Sequence, residues 1–231
     1  MANAFLPKPI ETRSGIQHAA FEVMKRLVSA LCGVLVFGLV GQSHATVIFS
    51  DNFNTENGGI GQLNYNHFAN WSVSNGTVDL IGSPGFFDFF PGNGLYVDLD
   101  GSTFQTGTFT SIGIHVTPGN YILSFLLAGS QRGDVNTVQV NVSGGLASST
   151  YTLGSNVPLT LETMSFTVLA PMTINLSFLN EGISNNIGLI LDNVNVDRVS
   201  TAVPDSGSTT VLLGIAMIGL CLMGWKFTRL A

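Results

Sequence analysis

Apolar and polar residues alternate with a period of two through most of the middle of the chain. Val138, Val140 and Val142 alternate with Thr137, Gln139 and Asn141, and Ile174, Leu176 and Phe178 alternate with Thr173, Asn175 and Ser177. The same rhythm sets Ile112, Ile114 and Val116 against Ser111, Gly113 and His115, and Leu95, Val97 and Leu99 against Tyr96, Asp98 and Asp100. Successive side chains of a strand point to opposite faces, so period two predicts strands buried on one side only. Asn75-Gly76, Pro118-Gly119 and Gly144-Gly145 supply turns between them. No amphipathic helix is legible between residues 46 and 202. Many short alternating strands with glycine-rich turns predict an all-β domain, an antiparallel β-sandwich of the jelly-roll kind.

Two stretches break the alternation, one near each end. Met24 is followed by Lys25, Arg26 and the apolar run Leu27 to Val40, and then by Ser43-His44-Ala45. A basic start, an apolar body and small residues before the cut predict a signal peptide over 24–45, cleaved after Ala45. Residues 1–23 form a polar N-terminal extension, which reads either as an early start or as a long basic region of the signal. Cys32 follows Leu31 rather than Gly or Ala, which argues against a lipoprotein-type modification. From Val211 to Trp225 no residue is charged, and Lys226 and Arg229 follow. At about 1.5 Å per residue this run barely spans a hydrocarbon core of about 30 Å, as a short transmembrane helix. Its basic end stays cytoplasmic by the positive-inside bias, which places the bulk of the chain outside. The expected division is therefore 1–23, 24–45, a β-sandwich domain over 46–202, and a tail over 203–231.

Charge changes the picture next. Six of the 8 Lys and Arg residues lie in the leader and tail, leaving Arg132 and Arg198 in residues 46–202. Three of the 14 acids, Glu11, Glu22 and Asp205, also lie outside, so 11 remain and the exported domain has nine more acids than bases and no lysine. Such a surface repels phosphate backbones, which excludes nucleic acid as a partner. Cys32 and Cys221 both fall in the apolar ends. The domain therefore has no disulfide, and a core or a metal must stabilise it.

The tail carries a specific motif: Val203, Pro204, Asp205, Ser206 and Gly207, then the apolar run and the basic end. This order resembles the C-terminal sorting signals read by exosortases, the membrane proteases of the PEP-CTERM system, in the variant whose motif is Val-Pro-Asp-Ser-Gly. The resemblance implies an exosortase-type partner and a tail held in the membrane until it is processed at the cell surface. The domain is similar in a second way. Leu95-Tyr-Val-Asp-Leu-Asp-Gly-Ser, Gln105-Thr-Gly-Thr and Pro118-Gly-Asn-Tyr-Ile-Leu-Ser-Phe-Leu-Leu-Ala-Gly resemble galactose-binding-like jelly rolls of the choice-of-anchor C family. Leu189 to Val196 looks like the last strand of carbohydrate-binding modules with this fold.

Catalytic chemistry is sparse. The exported part has no cysteine, and neither His67 nor His115 has a nucleophile motif beside it. Asp98 and Asp100 share a strand face and are spaced like a glycosidase pair, but they read as a solvated face, so no enzyme is expected. The alternative is a glycoside hydrolase-like enzyme of the cell surface. Arg132-Gly133-Asp134 reads as a chance tripeptide in a polar hairpin. Asp192 falls in the phase of Ile190, Val194 and Val196, on the apolar side, where a carboxylate needs hydrogen bonds or a metal. The resemblance to carbohydrate-binding modules implies a structural calcium held by Asp192 with Asp51, Asn54 and Glu56; a hydrogen-bonded aspartate at a strand bulge is the alternative. Phe86 to Phe90, with Tyr65 and Trp71, offer rings that either stack on sugars or cap the core. Trp71, Tyr65, Phe87 and Phe89 are the candidate ligand contacts, for a neutral glycan or exopolysaccharide. The expectation is an exported cell-surface or matrix protein that binds glycan or builds structure.

Overall fold

The computed structural model describes residues 44–200 and, in the tail, residues 214–216 and 219, which are helical. The signal segment before His44, the Val203–Gly207 motif and most of the apolar tail lie outside the described residues. Among those described, no helix is long and apolar enough to cross a membrane. Ser43–Thr201 form a compact unit of their own.

The strands in chain order are β1 (His44–Asp51), β2 (Trp71–Ser74), β3 (Asp79–Gly82), β4 (Leu95–Asp98), β5 (Thr108–Ser111), β6 (Ile114–Val116) and β7 (Gly119–Ala128). They continue with β8 (Asn136–Val142), β9 (Ala147–Leu153), β10 (Thr160–Val168), β11 (Met172–Ile174), β12 (Leu176–Asn180) and β13 (Ile190–Ser200). One 3₁₀ turn, Glu56–Gly59, interrupts the first connection. Every pairing between named strands is antiparallel, in a six-stranded sheet (β10-β7-β13-β4-β3, with β1 also on β13), a five-stranded sheet (β2-β5-β12-β8-β9) and the short pair β11-β6. The fold is the expected all-β, two-sheet antiparallel sandwich.

The inward residues of the two sheets interdigitate as alternation demands. Phe125 and Leu127 of β7 and Leu191, Val194 and Val196 of β13 meet Val138 and Val140 of β8 and Phe109 and Phe178 of β5 and β12 in one apolar cluster. Burying such a side chain contributes roughly 1.5–3 kcal/mol, so this cluster dominates the stability. An aromatic group sits at its centre: Trp71 stacks on Phe109 with ring centres 4.5 Å apart, and Phe53, Phe68 and Phe178 pack around the pair.

Three expectations are corrected. The run 111–116 is not one strand, because β5 ends at Ser111, Ile112 is exposed and β6 begins at Ile114. Strand β4 is buried on both faces: its outer residue Tyr96 packs with Ile81, Ala128 and Ile190 under Leu63, Phe89, Phe90 and Leu159, so alternation there does not mean half-exposure. The pairing of β13 with β7 shifts between Asp192 and Asn195, and Asn193 takes a left-handed φ of 48°. This bulge resets the phase. Asp192 therefore lies with Ile190 on the outer face, while Val194 and Val196 turn into the main core.

Candidate functional site

Antiparallel register brings the end of β4, the end of β7, the start of β8 and the start of β13 to one end of the sandwich. Asp98 pairs with Ile190, and Ile190 with Ala128. The loops 99–107, 129–135, 154–159 and 181–189 leave from this end. Asp98 and Asp100 lie beneath them and are fully buried, which corrects the solvated-face reading.

A buried carboxylate needs donors, and the loops provide them. Asp98 Oδ1 accepts the Asp100 and Gly188 amides at 3.0 and 2.9 Å, and its Oδ2 forms an ion pair with the Arg132 guanidinium. Burial pushes the Asp98 carboxyl up to about 7, although Arg132 and the amides pull it down. Asp100 Oδ2 accepts the Asn185 and Ile187 amides, while its Oδ1 has no partner; burial raises this acid too.

Arg132 links this buried layer to the surface. Its guanidinium carbon lies 5.8 Å from the ring centres of both Phe87 and Phe89, within cation–π range. The two rings are 6.1 Å apart and nearly parallel, at 12°. Phe87 is 50% exposed, and Phe89 is half-buried against the outer face of the six-stranded sheet. The Arg132 loop is fixed from behind: the Gln131 side-chain amide donates to the carbonyls of Gly129, Ser155 and Val157, and the Gly133 amide donates to Ser155 Oγ. Arg132 is thus committed to an ion pair, not displayed as a free adhesion tripeptide.

A third ring was missed in the sequence. Phe104 is 67% exposed in the loop 99–107, and its amide donates to Asn186 Oδ1 at 2.7 Å. That loop is tied down by Asp79, which accepts from the Ser102 amide and hydroxyl, and by Thr77 and Thr103, whose hydroxyls lie 2.6 Å apart. Phe87 and Phe104 both have left-handed backbones, with φ of 52° and 58°. Bulky residues adopt that conformation at a cost of about 1 kcal/mol or more, and neither ring recovers it by burial. The available signal was an aromatic standing alone in a polar loop bounded by Gly101 and Gly107. For Arg132 it was scarcity, one of two bases among 11 acids.

Two of the expected ring contacts belong elsewhere. Trp71 and Tyr65 are 4% and 5% exposed in the main core, Trp71 donating its indole N–H to Asp51 and Tyr65 bonding the His67 carbonyl. Neither offers a face to a ligand.

The expected calcium set lies around the first connection, away from the Arg132 loop. Asp51 accepts the Phe53 amide on Oδ1, and the Asn70 amide group and the Trp71 indole on Oδ2. Glu56 is buried and accepts the Ala69 amide, Asn54 Oδ1 accepts the Leu95 amide, and Asp192 accepts Asn93 Nδ2 at 2.5 Å and the Asn193 amide. Burial, with help from the charge on Asp51, raises Glu56 and takes Asp192 to about 6. Among the described residues, no three acid, histidine or cysteine side chains are grouped to hold a metal by themselves. The set is nonetheless all oxygen, as calcium requires, and Asp51 Oδ1, Asn54 Oδ1 and Asp192 Oδ1 each accept one hydrogen bond and retain a lone pair. Ala45, the expected cleavage residue, is exposed in β1 opposite Val199.

No protein-family model matches the chain, and no curated protein does. Solved structures do resemble it. The K3 cleaved adhesin domain of Lys-gingipain from Porphyromonas gingivalis w83 is 16% identical, with a TM-score of 0.44 over 67% of this chain and 99% of that one. A carbohydrate-binding module of Cellvibrio mixtus lichenase 5A, solved with cellotriose, is 11% identical, with a TM-score of 0.39 over 67% and 100%. A family 35 carbohydrate-binding module from Clostridium thermocellum is 11% identical, with a TM-score of 0.37 over 55% and 90%.

Proposed function

We propose that this chain is an exported cell-surface or matrix protein whose sandwich binds a neutral glycan at its loop end and catalyses no reaction. The observation that carries the reading is the pair Phe87 and Phe89, held parallel and capped by Arg132, with the strained, exposed Phe104 in the loop 99–107 that leaves from the same end of β4 as Asp98. Rings fixed in this way cover the apolar faces of sugars, and the neighbouring Asn185, Asn186 and Asp134 bind hydroxyls. The acid excess disfavours anionic polymers. In this reading the signal peptide is cut after Ala45, an exosortase-type protease acts at Val203–Gly207, and calcium held by Asp51, Asn54, Glu56 and Asp192 stiffens the first connection. Calcium would supply positive charge between these acids.

Affinity electrophoresis of the full chain through neutral polysaccharides tests the binding claim. Retention that disappears in Phe87→Ala and Phe104→Ala with an unchanged melting temperature supports it. Retention unaffected by both variants overturns it. The N-terminus of the exported protein tests cleavage after Ala45, and replacing Pro204 and Asp205 with alanine tests the sorting motif.

One feature favours the glycoside hydrolase alternative: burial pushes the Asp98 carboxyl up to about 7, into the range of a general acid. Against it, Asp98 and Asp100 are sealed from solvent and Asp98 is held by Arg132, so neither touches a substrate in this arrangement. Release of reducing sugar by the wild type but not by Asp98→Asn would decide for the enzyme.

A further inference from the structure

Two adjoining rows on the outer face of the five-stranded sheet carry no charge. Register aligns Ser72, Thr110, Ser177, Asn141 and Ser148 in one row across all five strands, on the side away from the core. The next row, two residues along, runs from Ser74 to Thr150 and departs from hydroxyls and amides only at Leu179. None of these side chains is buried. A merely solvated sheet face normally mixes in Lys, Glu or Asp. Here 11 acids are available to the domain and neither row holds one; Glu181 follows β12 beside Thr137, at the edge of the face, whereas the outer face of the six-stranded sheet carries Asp192 and Asp197.

The face is also pre-ordered. Ser148 donates to Asn141 Oδ1 at 2.7 Å, Asn141 Nδ2 donates to Gln139 at 3.2 Å, and the hydroxyls of Thr137 and Thr152 lie 2.9 Å apart across β8 and β9. Side chains already held by one another lose little freedom when a partner arrives. Strands stand about 4.8 Å apart and rows about 7 Å apart, so donors and acceptors repeat in two directions.

We propose that this face is a second contact surface, one that lies along a neutral polysaccharide chain. It shares the partner class of the loop-end reading but stands on different residues. A repeating hydroxylated polymer matches a repeating grid of hydroxyls and amides, whereas a single sugar would use only a corner of it. Charge selects the partner further. Nine excess acids, Glu181 at the edge of this face among them, repel anionic polymers, nucleic acid and a second copy of the same domain, while a neutral chain lying along the two rows meets no charge that must be desolvated.

The test is retention of the full chain in gels containing a soluble β-glucan, xylan or galactan, beside binding of short oligosaccharides of the same sugars. Ser177→Glu, at the centre of the first row, and Thr110→Lys on the adjoining strand should each weaken retention by the polymer at least tenfold. Melting temperature and oligosaccharide binding should stay as in the wild type. Phe87→Ala should instead abolish oligosaccharide binding. Polymer retention unchanged in both face variants overturns this proposal while leaving the loop end intact, and loss confined to Phe87→Ala does the same. No retention of the wild type by any of the three polymers overturns it as well, as does a dimer in sedimentation that Ser177→Glu dissociates, since the face would then pair with its own copy.

Discussion

Arg132, in the loop after β7, forms an ion pair with Asp98 at the end of β4, and this bond joins the buried layer of the loop end to its surface rings. The two residues are 34 positions apart in the chain. Breaking such a pair from one side strands the other charge, which typically costs about 3 kcal/mol or more. Asp98 can escape that cost by taking up a proton. Arg132→Met should therefore lower stability by about 2–3 kcal/mol at pH 8 and by clearly less at pH 5, measured by urea unfolding at both values.

The pH dependence of the wild type follows from the same carboxyl. Asp98 titrates near 7 when folded and near 3.8 otherwise, so between those values the folded state holds a proton that the unfolded state has lost. The associated stability is complete below about pH 4 and lost as pH rises through 7. At about 1.4 kcal/mol per unit this amounts to about 4 kcal/mol at most. Thermal melts from pH 4 to 8 should show a decline that Asp98→Asn flattens; an unchanged slope in the variant would assign the decline to other groups.

Phe104 offers a test in which stability and binding move in opposite directions. Its left-handed backbone suits glycine, and its ring is mostly in water. Phe104→Gly should stabilise the domain by up to about 1 kcal/mol and weaken glycan retention. If the ring were structural, the same change would lower the melting temperature.

Trp71 behaves in the opposite way. Stacked on Phe109 and bonded to Asp51, it belongs to the core, so Trp71→Ala should cost about 3–5 kcal/mol and remove much of the near-ultraviolet circular dichroism. Any effect on binding should follow the unfolded fraction.

Calcium should raise the melting temperature of the wild type, by about 2.7 kcal/mol in stability at a hundredfold excess over its Kd. Asp192→Ala should abolish the response. Coincident curves in calcium and in chelator would leave Asp192 bonded only to Asn93 and Asn193.

Much of this fold was legible because β8, β9 and β12 face water on one side and the core on the other, so their alternation reports burial directly. What alternation missed has local causes. Tyr96 and Asp98 looked exposed because a loop 83–94 that folds over β4 leaves no mark on the period of β4 itself. The Asn193 bulge moved Asp192 off the core face by inserting a residue that no pattern of two anticipates. In sequence Trp71 and Tyr65 read either as ligand contacts or as a core cap, because Asn64, Asn66 and Asn70 beside them are polar, whereas their neighbours in space are Phe53, Phe68 and Phe109. Phe87 and Phe89 stood out as aromatics, but their alignment depends on Arg132, which arrives from another loop.

Strand β13 begins beside Asp98 and runs eleven residues to Ser200, where it is paired with His44 of β1. At about 3.3 Å per residue the two ends of that strand are separated by roughly 30 Å. The polypeptide therefore enters and leaves the sandwich at one pole, and the rings with Arg132 crown the other. A force applied at Ser200 acts on the pole opposite Arg132, so Phe87, Phe89 and Phe104 stand most of a strand length away from the point where the chain leaves the sandwich.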